Sequence, residues 1–296
     1  MNRENTINIV MASDNHYAIL LGALIKSIEV NHKTSEKINL YVIDDGISKD
    51  NQEKIRASAS PEIVSIFWFK TSNVIPENIK IPVDKSAFPI TTYLRLFAPY
   101  ILPAGTERYI YLDVDMIVLS DISDLWKTDL NNNLIAAVQD LSETAGSPWG
   151  GIPNYKELGI APEAKYFNAG MMIVDVVQWL KEDITNKVIQ CLHDNLESVN
   201  FADQYGLNVI LVNRWQALDP RWNSFSILDT KDPFLIHYLD IKPIFRSYKS
   251  IPRYQDEFYK YLRLTPWKNH KPIPDYVRMS RKAINKVRKI MSAYLK

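Results

Sequence analysis

The chain has 296 residues, 46% hydrophobic and 23% charged, with a net charge of +1, the make-up of an ordinary soluble globular protein. No run of about 18 apolar residues occurs, so no segment is expected to span a membrane, and the first residues lack the apolar core of a signal peptide. The single Cys191 excludes an internal disulfide and any cysteine-built metal site, and together these features lead us to expect a cytoplasmic protein.

The small net charge conceals a split. Residues 241–296 hold 15 Lys and Arg against Asp256, Glu257 and Asp275, a surplus of +12, which leaves −11 on residues 1–240. Such asymmetry points to a basic tail that meets an anionic surface.

Residues 7–12 (INIVMA) read as a short buried strand, and Leu20, Leu21, Leu24 and Ile28 then recur at helical spacing. Residues 39–44 (NLYVID) form a second strand closed by the turn dipeptide Asp45-Gly46. Ser48 offers an N-cap for a helix over about 49–59, and residues 63–69 are a third strand. A helix over 91–102 stops at Pro103, and residues 109–113 are a fourth strand. This alternation argues for a mostly parallel sheet flanked by helices. Further on, strands are expected at 134–138, 170–174 and 234–239, and helices at 176–181, 185–195 and 203–212. A Gly- and Pro-rich loop over 142–162 is long enough to be a binding loop or lid.

Two carboxylates, Asp113 and Asp115, interrupt the apolar run from Tyr109 to Leu119. On a strand they share one face, roughly 7 Å apart. Like charges there repel and lose hydration, a conflict that a divalent cation removes. Asp14 and Asp140 also follow strands, where ligands of open α/β sheets bind, and His237 lies inside the last one. Two carboxylates and an imidazole suit Mn²⁺. There is neither a GxGxxG nor a GxxxxGK[ST] sequence, so no glycine loop for a dinucleotide or phosphate is present. Asp203 and Gln204 open an amphipathic segment, where acids also serve as first-turn caps, and Asn168 could be a turn residue. Of the seven tryptophans, Trp149, beside Pro148 and Gly150-Gly151, is the one expected to be exposed.

In order along the chain, INIVMASDNHYA, ITTYLRLFAPYIL, YLDVDMIVLSDISDLW, YFNAGMMIVDVVQW, ADQYGLN and HYLDIKP resemble glycosyltransferase family 8. That family includes bacterial lipopolysaccharide α-galactosyl- and α-glucosyltransferases and glycogenin. The resemblance covers roughly residues 7–245. It implies a GT-A fold, a Rossmann-like, mostly parallel mixed sheet flanked by helices, as the catalytic domain over 1–245. Residues 246–296 would then be a basic helical extension.

The resemblance further implies a UDP-hexose donor, glucose or galactose, a Mn²⁺ ion (with Mg²⁺ the other candidate) and retention of anomeric configuration. By motif, Asp113, Asp115 and His237 would be the metal ligands. Ala12 and Asp14 would hold the uracil, Arg95 would lie against donor sugar and phosphates, and Val114 would join the donor-binding set. Lys242 would bind the pyrophosphate, while Asp140, Asn168 and Asp203 would grip the hexose hydroxyls. Gln204 would stand near the anomeric carbon, as a stabilising amide rather than a nucleophile. Asp240 departs from the pattern, because it stands where the family usually has a glycine that approaches the diphosphate.

The implied partners are the UDP-hexose and a glycan, glycolipid or glycoprotein acceptor. Two rival readings stay open: a transferase acting on a protein acceptor, and a catalytically idle sugar-nucleotide or glycan-binding protein. Nucleic acid is not expected, since no motif supports it. Residues 276–296 place Tyr276, Ser280, Ala283, Ile284, Val287, Met291 and Tyr294 at helical spacing, with seven basic residues mostly off that stripe. This patterning suggests peripheral attachment to an anionic membrane on its inner face.

Overall fold

The computed structural model describes residues 6–82, 88–277 and 279–280. Strand β1 (Thr6–Asp14) leads into α1 (Ala18–Asn31), β2 (Lys37–Asp45), α2 (Lys49–Arg56), β3 (Val64–Lys70) and the single turn α3 (Thr71–Val74). A 3-10 segment, Ile90–Ile101, precedes β4 (Arg108–Leu112), β5 (Met116–Val118) and α4 (Ile122–Trp126). Then come the long pair β6 (Ile135–Thr144) and β7 (Lys165–Asp175), followed by α5 (Val176–Lys181), α6 (Ile184–Asp194) and α7 (Ala202–Ile210). Short β8 (Trp215–Ala217), the 3-10 turn Pro220–Asn223, β9 (Ser224–Phe225) and β10 (Leu235–His237) lead to α8 (Pro252–Leu262).

Seven strands form the main sheet in the order β3-β2-β1-β4-β7-β6-β8. β1 runs parallel to β2 and β4, β2 to β3, and β6 to β8, while β7 is antiparallel to both its neighbours. Burial on both faces explains the near-continuous apolar strands. Ile7, Ile9 and Met11 enter the core under α1, whereas Val10 and Ala12 enter the core under the 3-10 segment and α7. Tyr109 and Tyr111 alternate with Ile110 and Leu112 in the same way.

Several expected boundaries shift for physical reasons. The helix expected at 91–102 is a 3-10 segment carrying Pro99 inside it, which removes one backbone donor. The expected strands at 134–138 and 170–174 are the inner parts of a longer antiparallel pair. Ser48 does cap α2, accepting from the Asn51 N–H at 3.3 Å. Trp149 is 62% exposed, and Trp179 and Trp222 lie in the core.

A larger change concerns the acid pair. Asp113 and Asp115 are not within a strand: β4 ends at Leu112 and β5 begins at Met116. The chain leaves the main sheet there and enters a second sheet ordered β5-β10-β9. α8 buries Tyr254, Phe258, Tyr261 and Leu262 in a cluster with Ile19, Leu20 and Ala23 of α1. Residues 275–277, 279 and 280 are helical; the rest of the amphipathic tail over 276–296 lies outside the described residues. No helix among the described residues is long and apolar enough to cross a membrane.

Asp121 anchors the start of α4. Its carboxylate accepts from the Ser123 N–H at 2.9 Å and the Lys33 N–H at 2.8 Å, with His32 Nδ1 at 3.2 Å. Burial opposes its charge, but these bonds outweigh burial and hold its pKa below the usual carboxylate range. A depressed folded-state pKa means that this contribution is present above the unfolded value, near 3.9, and fades as pH falls through the folded one. Asp121→Ala should therefore lower stability at pH 7 by about 1–3 kcal/mol. Denaturant melts should show the gap from wild type narrowing below about pH 4.

Candidate active site

The parallel strands bring their carboxyl ends to one edge. Ala12 pairs with Ile43, and Asp14 with Asp45. Val10 pairs with Tyr111, and continuing that register sets Ala12 level with Asp113. β7 enters this edge from the opposite direction, and the Asp113 N–H donates to the Gly170 carbonyl at 2.8 Å. Asp140, near the outer part of β6, completes the rim.

The sheet switch at 113–115 faces the two acids toward each other and toward β10. The Tyr238 N–H donates to the Asp115 carbonyl at 2.9 Å, which fixes His237 opposite the turn, and the buried side chain of Val114 helps anchor it. Ligand atoms of Asp113, Asp115 and His237 lie within 4.8 Å of one another. His237 Nε2 is 3.4 Å from Asp115 Oδ1, an oxygen buried without a hydrogen-bond partner. Lys242 Nζ sits 2.6 Å from Asp115 Oδ2 and donates to the Tyr238 carbonyl at 2.6 Å. An under-satisfied carboxylate oxygen, a second carboxylate and an imidazole nitrogen are a donor set that fits a divalent cation.

The two acids are electrostatically unequal. For Asp115, burial favours the neutral acid, yet the neighbouring positive charge, that of Lys242 foremost, holds the pKa well below the usual range. For Asp113, burial and the neighbouring Asp115 prevail over Arg95 and push it up. Tyr111 Oη donates to Asp113 Oδ1 at 3.1 Å.

Arg95, from the 3-10 segment, is buried and binds this region together. Its Nε lies 2.9 Å from Asp203 Oδ2, its Nη2 is 3.3 Å from Asp113 Oδ1, and its Nη1 donates to the Ala169 carbonyl. The guanidinium also stacks over Tyr111, 4.9 Å from the ring centroid. Burial alone would favour losing its proton, but Asp113 and Asp203 raise its pKa further still.

On the other flank stand Asp140, Asn168 and Gln204. Asn168 Nδ2 donates to Asp140 Oδ2 at 2.7 Å, and Gln204 Nε2 reaches the same oxygen at 3.3 Å. Pairing of β7 with β4 ends at Leu112 opposite Met171, so the earlier residues of β7 have no partner from β4. α7 supplies the replacement: Asn208 bonds both the Phe167 N–H and carbonyl, and Gln204 Oε1 accepts from the Ala169 N–H at 2.9 Å. Spaced i and i+4, the two amides share one helix face. Asp203 is the acid in the first turn of α7, whose N-cap residue Phe201 makes no side-chain cap. Ala202, just before Asp203, takes φ 47°, a left-handed strain that tertiary contacts must hold.

Asp14 ends β1 and accepts from the Tyr17 N–H at 2.9 Å, shaping the entry to α1. Asp240 keeps the backbone that a glycine would take, with φ 54°, and its side chain is exposed. The loop therefore keeps its turn, and Lys242 reaches the acids. Sequence reasoning did not single out Asn223, Tyr111 or Gly170. Asn223 lies in a turn with no motif, and the other two read as ordinary strand residues.

A family model, glycosyl transferase family 8, matches residues 8–243, and the chain belongs to that family. General stress protein A of Bacillus subtilis (strain 168) is 30% identical over 288 residues, covering 90% of this chain and 96% of that protein. The lipopolysaccharide 1,2-glucosyltransferase of Escherichia coli (strain K12) is 24% identical over 288 residues, covering 92% and 82%. Among solved structures, the galactosyltransferase LgtC in complex with donor and acceptor sugar analogues matches with a TM-score of 0.72 and 24% identity. The match covers 88% of this chain and 96% of that one. The fold is GT-A.

Gly170 is where β7 passes closest to the acids. A Cβ there would stand 2.6 Å from His237 Cε1, 2.9 Å from Asn168 Oδ1 and 3.0 Å from Asp113 Oδ2. Gly170→Ala should cost about 1–3 kcal/mol through overpacking and separate the three groups. Thermal melts should show the first effect, and a Mn²⁺ titration should show affinity lost beyond what the small drop in Tm explains.

Proposed function

We propose that this chain is a retaining hexosyltransferase that moves glucose or galactose from UDP to a glycan acceptor. The supporting observation is the junction of two unlike sets of groups. Asp113, Asp115, His237 and Lys242 form a charged cluster beside the amides and acids Asn168, Asp140, Asp203 and Gln204. The first set suits a diphosphate, the second a ring of hydroxyls.

Asp113, Asp115 and His237 would hold Mn²⁺, which when bound stabilises the negative charge of a departing diphosphate. Lys242 contributes a second positive charge, fixed by Asp115 and the Tyr238 carbonyl and so in place before charge develops. Ala12 and Asp14, at the end of β1, would meet the uracil. Asp140, Asn168 and Asp203 would orient the hexose through its hydroxyls, with Arg95 holding Asp203 and Asp113 in register. The Gln204 amide is oriented by the Ala169 N–H and by Asp140, so its oxygen keeps a lone pair for a cationic anomeric centre.

In the reaction the bond from the anomeric carbon to the β-phosphate oxygen breaks. The acceptor hydroxyl oxygen bonds to that carbon from the same face, and its proton passes to a β-phosphate oxygen. UDP and the retained glycoside result. The basic tail adds an expected membrane side to this reading, since a lipid-linked acceptor would be met at an anionic surface. Full-length protein should sediment with phosphatidylglycerol vesicles at low salt, and removing residues 276–296 should abolish this; failure to sediment would refute the membrane role.

The central test is hydrolysis of a panel of UDP-sugars with and without Mn²⁺, which needs no known acceptor. Turnover of UDP-glucose or UDP-galactose should depend on the metal. Asp115→Asn, nearly isosteric, should fold normally yet lose at least about a hundredfold in rate, roughly 2.7 kcal/mol. Metal-independent turnover, or a variant as fast as wild type, would sink the assignment.

A further inference from the structure

Asn223 ends the 3-10 turn Pro220–Asn223, directly before β9, which pairs His237 with Phe225. It is 1% exposed, and both ends of its amide are used. Its Nδ2 donates to Asn168 Oδ1 at 3.0 Å, and its Oδ1 lies 3.0 Å from His237 Nδ1. We propose that Asn223 is a positioning residue that fixes the tautomer and orientation of His237, so that the ring offers Nε2 to a divalent cation. The proposal rests on reading Asp113, Asp115 and His237 as that cation's site.

The orientation of each amide follows from its neighbours rather than from the amide itself. The Asp140 carboxylate only accepts, so the Asn168 group facing it at 2.7 Å is Nδ2. Asn168 Oδ1 then receives the Gly170 N–H at 3.0 Å. An oxygen so placed demands a donor from Asn223, which turns Asn223 Oδ1 toward the imidazole. Nδ1 must carry the proton, and in the neutral ring Nε2 keeps a lone pair. That lone pair faces Asp115 Oδ1 at 3.4 Å, acceptor against acceptor, an arrangement that a cation relieves. Gly170 packs against Cε1 of the same ring and limits its rotation. The relay Asp140–Asn168–Asn223–His237 thus joins the sugar side of the site to its metal side. Partners of this kind, bonded to the far nitrogen of a ligating histidine, typically raise metal affinity by about ten- to a hundredfold.

The test is calorimetric titration of the full chain with MnCl₂ alone. Wild type should bind and His237→Ala should bind far more weakly; if wild type shows no binding, the metal-site reading itself fails, and this inference with it. Given that binding, Asn223→Leu, which matches the shape but cannot accept, should weaken Mn²⁺ about ten- to a hundredfold. Asn223→Asp, which still accepts from Nδ1–H but sets a second acceptor against Asn168 Oδ1, should retain clearly more Mn²⁺ affinity than Asn223→Leu. Unchanged affinity in Asn223→Leu, or equal losses in both variants, would overturn the positioning role while leaving the metal site standing. If Asn223→Leu does not fold, ¹⁵N-histidine spectra of metal-free wild type decide, with His237 assigned by its absence from His237→Ala. With the ring neutral, Nδ1 should be the protonated nitrogen, and a proton on Nε2 instead would overturn the proposal.

Discussion

Two carboxylates, Asp113 and Asp115, are forced close together where the chain passes from one sheet to another, and much of the surrounding structure answers their charge. Arg95 reaches Asp113 from the 3-10 segment, and Lys242 reaches Asp115 from the loop after β10. The two cations do not cancel the acids equally. Asp115 is held firmly ionised, while Asp113 is pushed the other way by burial and by its neighbour. Asp115 Oδ1 is left without a hydrogen bond. A buried charge with an unfilled acceptor is costly in a finished core, but it is useful where a cation is to bind.

The second constraint is the irregularity of β7. A fully paired strand would present no backbone donors to α7. β4 stops pairing with β7 at Leu112 opposite Met171, and Asn208 and Gln204 bond the backbone of β7 beyond that point. Gln204 is thereby held against Ala169 and Asp140. Arg95 meets Asp203 on the same helix and the carbonyl of the same Ala169. The helix that carries Asp203 and Gln204 is therefore registered against the strand that runs beside Asp113. Holding such groups with rigid supporting partners is what gives a site its geometric precision.

Glycine and left-handed residues appear where these elements crowd. Gly170 leaves room for the His237 ring and two polar side chains. Asp240 takes a left-handed turn with its carboxylate outward, so Lys242 can turn inward. Ala202 accepts strain immediately before Asp203 and Gln204. Two of the left-handed non-glycine residues, Ala202 and Asp240, thus stand beside groups of the candidate site.

By itself the sequence determined the alternation of strands and helices, because apolar period and turn residues are local properties. It also marked Asp113 and Asp115 as out of place in an apolar run, and it carried an ordered set of segments that resembles the family. Tertiary structure decided what locality cannot. The acids share a turn between two sheets rather than one strand face, since the break depends on pairing with β10, over a hundred residues away. The segment Ile90–Ile101 is 3-10 rather than α-helical and carries Pro99 inside it. Above all, Asn223 looks like any turn residue in Pro-Arg-Trp-Asn. Its place between Asn168 and His237 exists only because three separate segments meet there, and hydrogen bonds between distant residues leave no period or spacing in a chain.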